Sequence, residues 1–347
     1  MLNQTRTAPE SSPASLNPPG GLTAEEFVLT AKRILDEVSK VLVGQDNLIL
    51  QFLITLLAGG NALLEGVPGL GKTLLVRTLA QVIAGTFNRV QFTPDLMPAD
   101  ITGTMVLNED ETGRRAFRFH QGPVFANLLL ADEINRATPR TQSALLEAMQ
   151  ERRVTISGVT HDLPAPFFVL ATQNPIEMEG TYPLPEAQLD RFFFKINVGF
   201  PTEAELVEIA RRTTGPAAAA VRPMADGARI LAMQALARQV PMADHVTHYA
   251  ARLILATHPE NPTCPEPVKR RVLYGASPRG MQALILAAKI SALLDGRRAA
   301  SSDDVRTLVM PALRHRLILN YEAQAENVSA DQVLEHVLRT VGVPKTA

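Results

Sequence analysis

The stretch LLEGVPGLGKTLL, residues 63–75, decides the fold of this 347-residue chain. Gly66, Gly71, Lys72 and Thr73 stand in the spacing G-x-x-x-x-G-K-T, between a run that predicts a buried strand and a run that predicts a helix. Glycines let the main chain curl so that its amide groups converge on phosphate oxygens, and the new helix directs its positive dipole end to the same place. A lysine at this position suits the β- and γ-phosphates, and a threonine hydroxyl suits Mg²⁺.

This loop therefore predicts a site for ATP and Mg²⁺. The competing interpretation is a structural glycine turn before a core helix, which the strand and helix on either side disfavour. Pro68 and Gly69 are expected to stiffen and open the loop. The residues predicted to bind the nucleotide here are Gly66, Pro68, Gly69, Leu70, Gly71, Lys72, Thr73 and Leu74.

A second motif ends the run NLLLADE, residues 127–133, where leucines lead into Asp132 and Glu133. A phosphate loop needs an adjacent strand that carries an acid to the carboxyl edge of the sheet. Asp132 is predicted to hold Mg²⁺ through its water shell, and Glu133 to orient the water that attacks the γ-phosphate. The alternative is that both acids only cap the next segment.

The run FFVLATQN, residues 167–174, ends at Asn174 and predicts a further strand at the same edge. An uncharged amide there can hydrogen-bond both the γ-phosphate and the attacking water. The competing interpretation is a turn-forming asparagine before Pro175.

Short apolar runs alternate with helical patterns between Asn61 and about Phe200, which predicts an α/β fold with a parallel sheet flanked by helices. The continuous apolar character of the runs indicates strands covered on both faces. After Pro201 helical patterns follow one another and predict an all-α C-terminal domain. The predicted parts are a disordered tail at 1–21, an α/β core at 22–200 with β-hairpins near 104–119 and 152–164, and a helical domain at 201–347.

Composition disfavours several classes of protein. Lys and Arg total 34 against 35 Asp and Glu, so the net charge of −1 gives no general attraction to nucleic acid or to an anionic membrane. No apolar run reaches the roughly 18 residues of a membrane span, and no secretory signal is recognisable, so we expect a cytoplasmic location. Cys264 is the single cysteine and has no Cys or His cluster near it, which disfavours a metal site there.

The ordered motifs of the chain resemble those of the MoxR group of AAA+ ATPases from about Leu22 to the C-terminus. The motifs are VGQ (43–45), GVPGLGKT (66–73), LLLADEINRA (128–137), ATQNP (171–175), EAQLDRF (186–192) and GASPRG (275–280). The resemblance implies an AAA+ P-loop core, a helical lid at 201–347, and a homo-oligomeric ring, usually a hexamer, with ATP between subunits. Val43, Gly44 and Gln45 then lie beside the adenine, although on sequence alone they are only a turn between two helices.

The same resemblance assigns roles to polar residues outside the phosphate loop. Asn174 matches the polar sensor of the γ-phosphate. Arg191 is similar to the arginine finger that reaches the ATP of the neighbouring subunit, where a planar fork of donors stabilises charge in the transition state; a salt bridge to Asp190 or Glu186 is the alternative. Arg279 resembles the second sensor, which couples lid position to the γ-phosphate. Two further candidates for contact across a subunit boundary are Arg136 and Arg140.

The family resemblance implies ATP hydrolysis that remodels a client protein, in some cases for metal-cofactor insertion, with a partner that bears a von Willebrand factor A domain. The two hairpins resemble inserts that face a channel or a partner, with ordinary surface hairpins as the alternative. A nucleic-acid motor is disfavoured: Arg114, Arg115, Phe117, Arg118 and Phe119 would suit one, but acids precede them and no DNA-binding domain follows. A nucleotide-gated scaffold is also disfavoured, because binding alone needs none of Glu133, Asn174 and Arg191.

Overall fold

The computed structural model describes residues 21–66, 69–109, 115–174, 180–214 and 220–344. Its strands are β1 (Ala62–Glu65), β2 (Phe87–Gln91), β3 (Gly103–Glu109), β4 (Arg115–Gln121), β5 (Leu128–Asp132), β6 (Arg153–Ile156), β7 (Val159–Asp162), β8 (Phe168–Gln173), β9 (Phe194–Asn197), β10 (Val272–Tyr274) and β11 (Ile318–Leu319). Its helices are α1 (Ala24–Ser39), α2 (Asp46–Ala58), α3 (Lys72–Val82), α4 (Pro98–Thr102), α5 (Pro139–Glu151), α6 (Glu186–Leu189), α7 (Glu203–Thr213), α8 (Gly227–Gln239), α9 (Asp244–Leu255), α10 (Glu266–Lys269), α11 (Pro278–Leu294), α12 (Ser302–Thr307), α13 (Val309–Leu313), α14 (Tyr321–Ala325) and α15 (Ala330–Thr340). A short 3₁₀ helix spans Ile134–Arg136.

Five parallel strands form the central sheet in the order β2-β5-β8-β1-β9. Side chains alternate across the sheet, so that Leu128 and Leu130 enter one apolar core while Leu129 and Ala131 enter another on the opposite face. The first core includes α1, α2 and α3, and the second includes α5. The predicted parallel α/β fold is therefore confirmed.

Two details of the sheet differ from the sequence prediction. The strand of Asp132 was expected directly beside the phosphate-loop strand, and this is wrong, because β8 lies between β5 and β1. In this central place the β8 residues from Phe168 to Thr172 are buried throughout. The expectation that every strand is covered on both faces is wrong for β2, an edge strand that exposes Arg89 and Gln91.

β-Hairpins form at both places where the sequence predicts them. β3 and β4 pair antiparallel between Gly103–Gln121 and Glu109–Arg115, and residues 110–114, which include Arg114, lie outside the described residues. β6 and β7 join through Ser157 and Gly158, whose φ angles of 49° and 82° suit a tight hairpin turn. The rings of Phe119 and His161 stack with centroids 4.2 Å apart, which joins the two hairpins.

The C-terminal part is mostly helical and packs onto the core, with α11 against α1 and α2. It also contains a small antiparallel pair, β10 and β11, too short to give a strand signal in the sequence. Capping boxes begin α1, α7 and α15, at Thr23, Thr202 and Ser329. Ser277 is the N-cap residue of α11, but its hydroxyl donates to Asp190 instead of capping the helix. Within the part of the chain that the structure describes, no helix has the length and apolarity of a membrane span.

Candidate active site

The loop between β1 and α3 has the backbone of a phosphate cradle. Gly69 and Gly71 adopt φ angles of 88° and 76°, in the left-handed region that is unfavourable for residues other than glycine. Gly71 is the N-cap residue of α3, and Lys72 begins the helix, donating from Nζ to the Gly66 carbonyl at 2.7 Å. Burial lowers the pKa of Lys72, against the opposing effect of two nearby carboxylates. Pro68, also predicted to belong to this loop, lies outside the described residues.

A buried threonine on β8 holds the two acids that follow the leucine run. Thr172 Oγ1 donates to Asp132 Oδ1 at 2.6 Å and accepts from the Glu133 backbone N–H at 2.9 Å. Glu133 itself adopts φ 57° and ψ 50°, an uncommon left-handed conformation for a residue with a side chain. The threonine therefore fixes both the carboxylate of Asp132 and the backbone of Glu133.

Two side chains from the edge strand β2 complete a network around the acids. Arg89 Nη2 donates to Asp132 Oδ2 at 2.7 Å and to Gln91 Oε1 at 2.8 Å. Gln91 Nε2 donates to Glu133 Oε2 at 2.8 Å, and Arg136 Nη1 donates to the same oxygen at 3.0 Å. Because Arg89 engages the amide oxygen of Gln91, the amide nitrogen faces Glu133. The network links the predicted metal ligand to the predicted water-orienting carboxylate.

A cavity of about 410 Å³ gathers these groups at the carboxyl edge of the sheet. Asn174, 6% exposed and directly after β8, is among its lining residues. Its lining includes Gly69, Gly71, Lys72, Thr73, Leu74, Arg89, Gln91, Asp132, Glu133 and Asn174. The structure thus brings together the predicted lysine, threonine, acids and asparagine.

A second cavity of about 210 Å³ includes Val43, Gly44 and Gln45 in its lining. Gln45 Nε2 donates to the Leu70 carbonyl at 3.4 Å, which connects this cavity to the phosphate loop. Gln45 Oε1 is buried without a hydrogen-bond partner, so the cavity offers an acceptor to a ligand with an N–H group. Gly44 adopts a φ of 69°, and the carboxylate of Glu205 fills the space where its Cβ would lie.

Arg191 and Arg279, the predicted arginine finger and second sensor, lie at the opposite end of the strands from the phosphate loop. Arg191 and Arg279 line a cavity of about 630 Å³ that includes Asn61 and Phe193, the residues that directly precede β1 and β9. This cavity therefore lies at the amino ends of the strands, whereas the phosphate loop follows the carboxyl end of β1. Neither arginine lines the phosphate cavity, the cavity of about 410 Å³ beside the phosphate loop of its own chain.

The alternative salt bridge of Arg191 does not form with Asp190 or with Glu186 in the described structure, where the Arg191 side chain is exposed. Asp190 instead accepts from Arg316 Nε at 2.9 Å and lies 3.7 Å from Arg279 Nη1. The other boundary candidates are Arg136, which pairs with Glu133, and Arg140, which is exposed in the first turn of α5.

Comparison with known proteins identifies the family. Residues 61–194 match the model of the ATPase family associated with various cellular activities, and residues 267–337 match an AAA lid domain. The chain is 47% identical to Chaperone MoxR1 of Mycobacterium tuberculosis, covering 99% of this chain and 90% of that protein. It is 32% identical to Protein MoxR of Methylorubrum extorquens, covering 94% and 98%. The chain belongs to the MoxR family of AAA+ ATPases.

A solved structure agrees with this assignment. The crystal structure of an ATPase candidate from Cytophaga hutchinsonii superposes with a TM-score of 0.87 at 42% sequence identity, covering 93% of this chain and 97% of that one. This MoxR-family protein therefore has an AAA+ core and lid, binds ATP and is an ATP-hydrolysing enzyme.

Three polar residues of this MoxR-family site were not predicted from the sequence: Arg89, Gln91 and Thr172. Arg89 and Gln91 alternate with apolar residues in NRVQF, the pattern of an edge strand with a polar face. That alternation indicates the exposed face, but not that the face borders Asp132. Thr172 stands inside an apolar run and gives no signal of its own in the sequence.

Proposed function

We propose that this MoxR-family ATPase hydrolyses Mg²⁺-ATP at the boundaries between identical subunits of a head-to-tail ring, six in number by family resemblance. One observation supports the proposal: the phosphate cavity lies at the carboxyl ends of the strands, and the Arg191–Arg279 cavity lies at their amino ends. Neither arginine lines the phosphate cavity of its own subunit in this structure. A heterologous contact between two copies would bring the arginines of one subunit to the phosphates of the next, and such contacts can close into rings.

The donor set of the phosphate cavity fits a magnesium ion. Thr73 offers a hydroxyl and Asp132 a carboxylate, which are hard oxygen ligands that Mg²⁺ prefers. Asp132 already binds a cation in this structure, the guanidinium of Arg89 at 2.7 Å, so its side chain is accessible to positive charge. The bound ion would neutralise charge on the β- and γ-phosphates.

The side chains around the phosphates divide the remaining work. Lys72 would bind the β- and γ-phosphates, and the amide of Asn174 would hydrogen-bond the γ-phosphate. Glu133 would accept a hydrogen bond from the attacking water and align it. Gln91 and Arg136 both bond Oε2 of that carboxylate in the present structure, so its other oxygen, Oε1, would serve the water. The orphan acceptor of Gln45 suits the amino group of adenine.

We assign the arginines to the neighbouring site. Arg191 would stabilise the charge that develops on the γ-phosphoryl group, and Arg279 would sense the same group from the first turn of the lid helix α11. Arg279 lies near the positive end of that helix dipole, where a cation is unfavourable unless an anion faces it. Asp190, 3.7 Å from Arg279 Nη1, is one such anion, and the neighbouring triphosphate would be a second.

The work that hydrolysis drives is proposed to be the remodelling of a client protein. The name of the relative MoxR1 describes it as a chaperone. A partner with a von Willebrand factor A domain and a role in metal-cofactor insertion follow from family resemblance alone. The β3–β4 hairpin exposes Leu107 and Phe117, at 50% and 69%, and offers an apolar contact to such a client.

Mixing two inactive variants tests the shared site. Lys72→Ala removes the phosphate-binding lysine, and Arg191→Ala removes the finger, so each pure ring should be nearly inactive. In an equal random mixture about a quarter of ordered neighbour pairs join an intact phosphate cavity to an intact finger, so turnover should recover to about a quarter of the wild-type value. A mixture of Lys72→Ala and Glu133→Gln is the control. It should recover no turnover, because both changes disable the phosphate cavity. Mixed rings of Lys72→Ala and Arg191→Ala that stay inactive would refute the proposal.

A further inference from the structure

The turn that carries Arg191 is held by an arginine from the lid. Arg316 follows α13 and is only 3% exposed at its side chain. Its Nε donates to Asp190 Oδ1 at 2.9 Å, and its Nη2 donates to the carbonyls of Phe192 at 2.6 Å and Asp190 at 3.2 Å. Its Nη1 donates to the carbonyl of Phe193 at 3.2 Å. The planar guanidinium of Arg316 therefore hydrogen-bonds main-chain carbonyls on both sides of Arg191.

Two more lid residues contact the same turn. His315 Nε2 lies 3.0 Å from the carbonyl of Phe192, and Ser277 Oγ donates to Asp190 Oδ1 at 2.7 Å. Ser277 precedes α11 and Arg316 follows α13, so two separate lid segments hydrogen-bond three core residues, Asp190, Phe192 and Phe193, on either side of Arg191. The side chain of Arg191 itself remains exposed beside this contact.

A buried arginine is costly unless its donors are satisfied, and a packing role would not require one. An apolar side chain of similar volume would join lid and core at least as well, but it would not fix the carbonyls of a turn. Burial lowers the pKa of Arg316 to about 10, so the group still carries its charge at neutral pH. The bonds of Arg316 determine the path of the backbone at Arg191, and hence the direction in which Arg191 points.

We propose that Arg316 is a positioning residue for Arg191, through which the orientation of the lid sets the reach of the finger into the neighbouring subunit. This inference rests on the proposed function of Arg191 in trans. Arg316 does not line the phosphate cavity of its own chain. It would make the lid of one subunit control hydrolysis in the next one, while the phosphate cavity of its own subunit stays intact.

Arg316→Lys tests this role, because lysine keeps the charge next to Asp190 but cannot supply a planar fork to three carbonyls. We expect turnover to fall about 10- to 100-fold, since misplacement of a catalytic group by about 1 Å has an effect of this size. Binding of a fluorescent ATP analogue should stay within about twofold of wild type. Arg297→Lys is the control: Arg297, which is 40% exposed, pairs with the buried carboxylate of Asp304 inside the lid, and its loss should leave turnover within about twofold.

Mixed rings separate positioning from general damage. Arg316→Lys mixed with Lys72→Ala should recover turnover toward a quarter of wild type, because the Lys72→Ala subunits supply a well-placed finger. Arg316→Lys mixed with Arg191→Ala should recover nothing. The double variant Arg191→Ala/Arg316→Lys should be no slower than Arg191→Ala alone, since a finger that is absent cannot be misplaced further.

Different results would overturn the two claims separately. If Lys72→Ala and Arg191→Ala rings do not complement, the finger assignment fails, whatever Arg316 does. If they complement but Arg316→Lys has wild-type turnover, or does not complement Lys72→Ala, the positioning role of Arg316 is wrong. Should Arg316→Lys not fold, Ser277→Ala takes its place, because it removes one bond to Asp190. It should then show a smaller loss, about two- to fivefold, with the same pattern of recovery, and wild-type turnover would overturn the inference.

Discussion

Thr172→Val should loosen both acids of the phosphate cavity at almost constant side-chain volume. The hydroxyl makes two hydrogen bonds, to Asp132 Oδ1 at 2.6 Å and from the Glu133 N–H at 2.9 Å. Each hydrogen bond contributes about 1 kcal/mol net, and leaving the Glu133 N–H unpaired costs about 1 kcal/mol more. The free energy of unfolding should therefore fall by about 2–3 kcal/mol. Asp132 also loses its orientation, and loss of such a supporting bond weakens metal binding by about 10- to 100-fold.

Urea unfolding and a magnesium titration of ATPase rate measure the two effects of Thr172→Val. Thr55→Val is the matched control, because Thr55 is also fully buried but donates only to the Gln51 carbonyl within its own helix. The control should lose less stability, about 1 kcal/mol, and keep the magnesium dependence of the wild type. If both variants lose equal stability and require equal magnesium concentrations, Thr172 does not organise the site.

Two further changes test other parts of the structure. Glu133→Gln should keep ATP binding but lower turnover at least about 100-fold, because an amide is a poor acceptor for the proton of the attacking water; turnover near wild type would remove Glu133 from that role. Burial, and secondly the charge of Arg316, hold the pKa of His315 well below its usual value of 6.5. Below pH 6.5 the unfolded chain therefore binds a proton that the folded chain does not, so stability falls as pH falls. This group should make the protein less stable at pH 5.5 than at pH 8, by at most about 1.4 kcal/mol. Urea unfolding at both pH values should show that His315→Gln lacks this part of the difference, and an unchanged difference would contradict the assignment.

The sequence was sufficient for the fold and for most of the phosphate cavity because those features depend on local patterns. A glycine-rich loop between a strand and a helix, and acids at the end of an apolar strand, each specify backbone geometry and chemistry within a few residues. Parallel strands then bring Lys72, Asp132 and Asn174 to one edge whatever their order in the sheet. This is why the cavity was predicted although the position of β8 between β5 and β1 was not.

Relations between distant segments could not be predicted in the same way. Arg89 lies 43 residues from Asp132 in the chain, and Arg316 lies 126 residues from Asp190, so no local pattern connects them. Family resemblance identified Arg191 and Arg279 but not their common cavity. That cavity depends on the lid packing at the amino edge of the sheet, which only the three-dimensional arrangement of α11 and β9 determines.

The distribution of charge favours a head-to-tail contact over a symmetric one. The cavity at the amino edge is lined by six cations and one acid, while the whole chain has a net charge of −1. The six cations are Arg152, Arg191, Arg238, Arg279, Lys289 and Arg316. A two-fold dimer through this face would place cation against cation, which is unfavourable at short range. In the proposed ring, a head-to-tail contact would instead place the cations against the carboxyl ends of the strands in the next subunit, where a bound triphosphate would supply negative charge. Because the triphosphate would complete this contact, ATP should strengthen the proposed ring as well as serve as its substrate.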